Sequence, residues 1–430
     1  MKKRSMPVSL VALFCVFTFF VLGGCQKQTA PAASDSGGTA RNVITTIEFF
    51  QQKMEEGPQR GYQQVAERYN AEFADRYKIE INTVPDAGTV LTTRVVSGDI
   101  PPLFSDYPTQ LQFKEKVKNG IPLDISNESF MSRVNPPAVL MSKAPDNKDY
   151  AIPLSHNFMA VYYNIDIFNA NGLTIPVTYD EFIAVCKKLQ AANIQPLVFT
   201  FATPGRVGHM FQAMNAAWTA DGVERLAAVM NGSGDLRGDE VMSRMASRVL
   251  EVTSYGNEDA FALPDTGMWE NFANGKAAMC ITGSYARGTI QLANANLNMG
   301  VFPLPNDTPE TTTLLSGIDA ALCVSARTGD EQKAAGLAFL EFISRTENAQ
   351  IFCDNDGAPS TITAVSYQDA RVNPVIDKMK TGPLHDWFAS TIPGNVQNEI
   401  YNVVQEFLMN KKVDPFLTQL QQTIVTASAN

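Results

Sequence analysis

Little in this sequence favours metal, redox or nucleic-acid chemistry. It has three histidines, His156, His209 and His385, set too far apart for the i, i+4 pair of a helical metal site, so each is read as a satisfied or exposed imidazole. Six cysteines are present and none stands in a C-x-x-C pair, which excludes the common zinc and dithiol motifs. Lys and Arg number 34 against 44 Asp and Glu. Setting aside Lys2, Lys3 and Arg4, which lie in a leader segment, 31 basic residues face 44 acidic ones, a net charge of −13. Such a chain is repelled by phosphate backbones and gains nothing from counterion release, so nucleic acid is excluded as a partner. Neither a G-x-S-x-G elbow nor a zinc-ligand pair is present. The glycines of 232–238 miss dinucleotide spacing by one residue, and Gly275-Lys276 lacks an upstream phosphate-binding glycine, so both are loop glycines. Asp354-Asn355-Asp356-Gly357 lacks the glutamate that completes a calcium loop. No catalytic residue, metal or cofactor is expected, and the lack of a 20–50-residue repeat argues against solenoids and propellers.

The apolar run from Val8 to Leu22 is also too short, since a spanning helix needs about 20 residues. Preceded by Lys2, Lys3 and Arg4 and ending in Leu22-Gly23-Gly24-Cys25, it reads as a signal peptide over 1–24 that looks like a bacterial lipobox. Cys25 is then the lipidation site, and two or three acyl chains suffice for stable anchoring to the cell membrane. Residues 25–41 carry no large apolar side chain and read as a leash of roughly 20–25 Å. Extracytoplasmic and tethered is the expected location. Cys186, Cys280, Cys323 and Cys353 lie in apolar stretches and read as buried free thiols, one or two disulfides being the alternative.

What remains is long and apolar enough, at 430 residues and 45% hydrophobic, for about two lobes. Val43–Phe50 has the β-branched and aromatic content of a buried strand. Tyr62, Val65, Ala66, Tyr69 and Phe73 follow at helical spacing, and 78–82 alternates as a second strand. The pattern recurs where Thr178 and Glu181 form a capping box ahead of Phe182, Val185, Cys186 and Leu189, with a strand predicted at 196–201. A third instance sets Leu322–Val324 before a helix capped by Thr328 and Glu331. Repeated alternation predicts α/β lobes. The end differs: Ile400, Val403, Val404, Phe407 and Leu408 make one helix, and Asp414-Pro415 starts another through Gln422.

Four segments in order resemble the family 1 extracellular solute-binding proteins, to which maltose-binding protein belongs. They are Ser97-Gly98-Asp99-Ile100-Pro101; Tyr150–Leu154 leading to Tyr162–Phe168 and Thr178–Phe182; Trp269–Met279 with Gly283-Ser284-Tyr285; and Phe302–Pro305 with the Glu331–Phe342 helix and Gly357-Ala358-Pro359-Ser360. Pro102 stands where the family pattern has an aspartate, and Tyr285 where tryptophan is commoner. The resemblance implies a type II periplasmic-binding-protein-like fold, two α/β lobes joined by a hinge that the chain crosses more than once, with C-terminal helices beside it. Residues 41–155 and 304–356 would form lobe one, and 156–303 and 357–430 lobe two.

It also implies an importer subunit of the ABC type, a monomer that captures a sugar or oligosaccharide between its lobes and delivers it to the permease, without enzymatic activity. A sugar offers hydroxyls to polar groups and C–H faces to aromatic rings. Position in the family pattern puts Tyr285 at the stacking place, Glu48, Phe49 and Phe50 at the end of the first strand, and Asp106 as a hydroxyl-binding carboxylate. Asn157, Asp319, Trp218, Trp269 and Trp387 complete the candidates. Two other classes stay open: a secreted glycan hydrolase, which needs paired carboxylates, and a sensor or adhesin on the same fold.

Overall fold

A computed structural model describes residues 43–429 apart from Ala320 and Gln368; the signal segment, Cys25 and the leash lie outside the described residues. The strands in chain order are β1 Thr45–Phe50, β2 Tyr77–Asn82, β3 Leu103–Asp106, β4 Ile152–Pro153, β5 His156–Asn164, β6 Leu197–Val198, β7 Met279–Gly283, β8 Met299–Phe302, β9 Leu314–Ile318, β10 Ala321–Val324 and β11 Leu384–His385. They form two sheets, so the molecule is two-lobed. The first runs β2-β1-β3-β10-β4, with β1 parallel to β2 and β3 and β10 antiparallel to its neighbours. The second runs β11-β9-β5-β7-β6, with β8 also on β5.

Apolar periodicity explains the first unit. The helix Glu56–Glu72 turns Tyr62, Val65, Ala66 and Tyr69 inward, against Ile47 and Phe49 of β1 and Phe339 of the helix Asp330–Ile343. β5 is apolar almost throughout because both its faces are buried, from Asn157 to Asn164, and it is paired on both edges, Val161 with Ile281 and with Phe302. The predicted strand at 196–201 shortens to β6, since Phe199 N–H donates to Asn257 (2.7 Å) and Phe201 N–H to the Ala260 carbonyl (2.7 Å) instead of a ladder. The Thr178 capping box forms as expected. The other shifts by one residue: Gly329 is the N-cap, so Gln332 rather than Glu331 reaches back to the Gly329 N–H. The helices Gly394–Asn410 and Val413–Ser428, the second running past Gln422, pack through Phe407 on Phe416 (4.1 Å). No helix among the described residues is long and apolar enough to cross a membrane. All four described cysteines are buried and free.

The chain passes between the sheets three times. It leaves β4 for β5, returns between β9 and β10, and passes again between Val365, packed on the first core, and Val372, packed on the second. The first two crossings lie side by side, and the 359–361 segment leading to the third runs beside them. Asp319 N–H donates to the Ser155 carbonyl (3.0 Å), His156 N–H to that of Pro359 (2.9 Å) and Thr361 N–H to that of Leu154 (3.1 Å). Leu304, Leu314 and Leu315 belong to the second core and Ile362 to the first. β9 joins the second sheet because its residues 316–318 take the edge that β5 offers at 156–158. Behind the crossings, the helices Glu56–Glu72 and Ala286–Ala293 meet at Gly57 and Gly288. A Cβ on either would lie within 2.5 Å of the Asn355 carbonyl oxygen.

Candidate functional site

In open α/β sheets, ligands gather beyond the carboxyl ends of the strands. The segments following β1 and β3 here, Gln52–Glu55 and Tyr107–Gln110, form one wall of a cavity of about 840 Å³. The opposite wall comes from the first turns of the helix Pro204–Trp218, which carry Arg206 and His209, and from Tyr285 after β7. Asn157 and Asp319 of the crossings form its floor, and Trp387, after β11, closes a side.

Charge is concentrated on the floor. Lys53 Nζ lies 2.7 Å from Asp319 Oδ2, with both side chains about 5–6% exposed, and the Asn157 amide donates to the same oxygen at 3.3 Å. Burial opposes the lysine's charge, yet Asp319, Glu55 and other neighbours hold its pKa well above the usual value. Arg206 donates to Asp265 (3.0 Å), lies 3.8 Å from Glu55, and stacks its guanidinium over Trp269 (4.7 Å) and Tyr285 (5.5 Å). Burial tends to raise the Glu55 carboxyl, but Lys53 and Arg206 bring it below its ordinary value. His209 Nδ1 sits 3.2 Å from the Tyr285 hydroxyl, and burial together with Arg206 lowers its pKa to about 4. Behind the floor, burial, partly offset by Lys53, pushes the Asp356 carboxyl up to about 7. No cluster of three or more metal-ligating side chains occurs among the described residues. The arrangement offers the aromatic side chains of Tyr107, Tyr285 and Trp387, a set of donors and acceptors tied into ion pairs, and space for a small polar molecule.

The profile of the family described as bacterial extracellular solute-binding proteins matches residues 64–376. The chain belongs to that family. The multiple sugar-binding protein of Streptococcus mutans serotype c (strain ATCC 700610 / UA159) is 25% identical over 413 residues, covering 92% of this chain and 91% of that one. MelE of Bacillus subtilis (strain 168), a melibiose/raffinose/stachyose-binding protein, is 20% identical over 384 residues, 85% of this chain and 87% of its own. The solved structure of the solute-binding protein RafE in complex with raffinose has the same fold, with a TM-score of 0.80 at 23% identity, over 90% of this chain and 100% of that one.

Four of the sequence-predicted residues of this solute-binding protein meet at the cavity: Asn157, Tyr285, Asp319 and Trp387. The others do not line it. Phe49 is fully buried against Tyr62 (5.0 Å), and Phe50 lies under the Arg94 guanidinium. Glu48 is held by both Arg94 Nη1 (2.7 Å) and Nη2 (2.8 Å), which keep its pKa low. Asp106 is 4% exposed and paired with Lys116 at 2.8 Å, so its carboxylate is already committed. Trp218 is core, its Nε1–H donating to the Pro305 carbonyl (3.1 Å). Trp269 lies behind the cavity, donating to Thr282 (3.1 Å) and backing Arg206 and Tyr285. Sequence reasoning missed Lys53, Glu55, Arg206, His209 and Asp265. A signal existed for the first two: Lys53 and Glu55 directly follow a buried parallel strand, where cavity-lining loops are found.

Proposed function

We propose that this protein is the substrate-binding subunit of an ABC importer and captures a sugar, most simply an oligosaccharide, in the cavity between its lobes. The observation that carries this reading is the pairing of Tyr285 and Trp387 with the polar floor of Lys53, Asn157 and Asp319 in one space of about 840 Å³. Aromatic rings suit the C–H faces of pyranoses, and the floor supplies donors and acceptors for hydroxyls. The names of the relatives, which bind multiple sugars or melibiose, raffinose and stachyose, point the same way. Lobe one is taken as 43–154 with 319–366, and lobe two as 155–318 with 367–429. Ligand contacts to both would favour the closed arrangement, which the permease would recognise. Cys25 would carry the lipid that keeps the protein at the outer face of the cell membrane.

Catalysis forms no part of this reading. A hydrolase needs one carboxylate free to act as acid and another as base or nucleophile; of the four carboxylates lining the cavity, Glu55, Asp265 and Asp319 are held in ion pairs, which leaves Asp86 without the second free carboxylate such chemistry needs. A thermal-shift screen over neutral mono- and oligosaccharides tests the proposal. A sugar at 100 times its dissociation constant should stabilise the protein by about 2.7 kcal/mol. No shift across the library would refute the sugar assignment.

A further inference from the structure

The cavity's charges are unevenly matched. Its lining holds two cations, Lys53 and Arg206, and four carboxylates, Glu55, Asp86, Asp265 and Asp319. His209 adds no charge at neutral pH, because burial and Arg206 keep its pKa near 4. Both cations are already engaged: Lys53 with Asp319 at 2.7 Å, Arg206 with Asp265 at 3.0 Å and with Glu55 at 3.8 Å. Asp356, behind the floor, adds its attraction to the hold on Lys53.

We propose that the cavity is selective for uncharged saccharides over sugar acids, and that Asp319, Asp265 and Glu55, the last lying near both cations, set this selectivity by occupying the two cations an acid would need. The inference rests on the sugar reading above and deepens it. A neutral hydroxyl can donate to a carboxylate oxygen of either pair while accepting from an ammonium or guanidinium N–H, so it joins the network without breaking it. A ligand carboxylate can only accept. It would be stripped of water beside an excess of negative charge, with no uncommitted cation in the cavity lining to offset the loss. Repulsion of the wrong ligand, rather than attraction of the right one, would then separate the two classes.

Isothermal calorimetry at pH 7 on the wild-type protein tests this with matched pairs. The neutral probes are melibiose, raffinose and stachyose; each partner is the same sugar with its terminal galactose C6 oxidised to a carboxylate. Digalacturonate and trigalacturonate complete the set. The expected result is that at least one neutral sugar binds and that its acid partner is at least about 30-fold weaker. Glu55→Gln and Asp319→Asn, which remove a charge and keep a hydrogen-bonding group, should each narrow that ratio at least about fivefold. An acid partner that binds less than 30-fold more weakly than its parent, or an oligogalacturonate that binds while the neutral sugars do not, would overturn the charge argument and leave the sugar reading intact. Heat from neither class would overturn the sugar reading, and the selectivity with it. Should Asp319→Asn fail to fold, Glu55→Gln decides alone, and an unchanged ratio there overturns the role given to these residues.

Discussion

Removing the Asp319 carboxylate tests whether the cavity floor is held by charge. At 2.7 Å and an effective dielectric of 20, the Lys53–Asp319 pair has roughly 6 kcal/mol of gross attraction. Desolvating two ions whose side chains are only 5–6% exposed consumes most of it. The net value of the pair is therefore small, yet breaking it is costly because the survivor stays buried. Asp319→Ala leaves the ammonium with Glu55 and Asp356 as its remaining counter-charges, so the loss should fall at the lower end of the usual range, about 3 kcal/mol. Lys53→Met strands the carboxylates instead and should cost a similar amount. The double variant Lys53→Met/Asp319→Ala buries neither charge of the pair and should cost about 2 kcal/mol less than the sum of the singles. Urea unfolding of the four proteins, followed by tryptophan fluorescence, measures this directly. A single Asp319→Ala cost below about 1 kcal/mol, or strict additivity in the double variant, would refute the reasoning.

The other predictions concern protons, packing and anchoring. His209 has a folded pKa near 4 against an ordinary 6.5, so the unfolded chain takes up its proton first, and this contribution to stability is lost as pH falls from about 6.5 to 4. Asp356, raised from 3.8 to about 7, acts oppositely: the folded chain takes up the proton first, and its contribution grows as pH falls from about 7 to 4. Between pH 7 and pH 5 the urea midpoint should therefore fall less in His209→Gln than in wild type and more in Asp356→Asn; parallel changes would contradict both assignments. Trp387→Ala should weaken sugar binding at least about tenfold by calorimetry, whereas Trp218→Phe should leave affinity unchanged and lower stability. Cys25→Ala should abolish incorporation of labelled lipid, which growth with a labelled fatty acid would reveal.

The alternation of strand and helix was legible because each core face repeats its apolar residues at the period of its element, as Tyr62, Val65 and Tyr69 do. The capping box at Thr178 could be read for the same reason: its partners lie three residues apart. Side-chain commitments between distant segments could not. Nothing near Asp106 in the sequence reveals that Lys116 will neutralise it, and nothing near Trp218 reveals the Pro305 carbonyl that its indole meets. The cavity's cations were missed because Lys53 and Arg206 are 153 positions apart and share a space only after two sheets have formed. The sheet that β9 joins could not be read for a related reason, since a five-residue apolar strand fits either sheet and only the edge of β5 decides between them.

The contact of Gly57 with Gly288 places a bare surface where the two lobes touch behind the crossings. Interlocked side chains at such a point would act as teeth, resisting rotation until they were lifted apart; for the hinge motion proposed above, two glycines against one carbonyl would serve as a bearing. A single methyl group added to either would have no room beside the Asn355 oxygen, so the contact would have to shift; with the hinge closure proposed above, that shift would alter the angle at which the walls of the cavity face each other. In the reading proposed here, the grip on the ligand is thus set in part by two residues that never touch it.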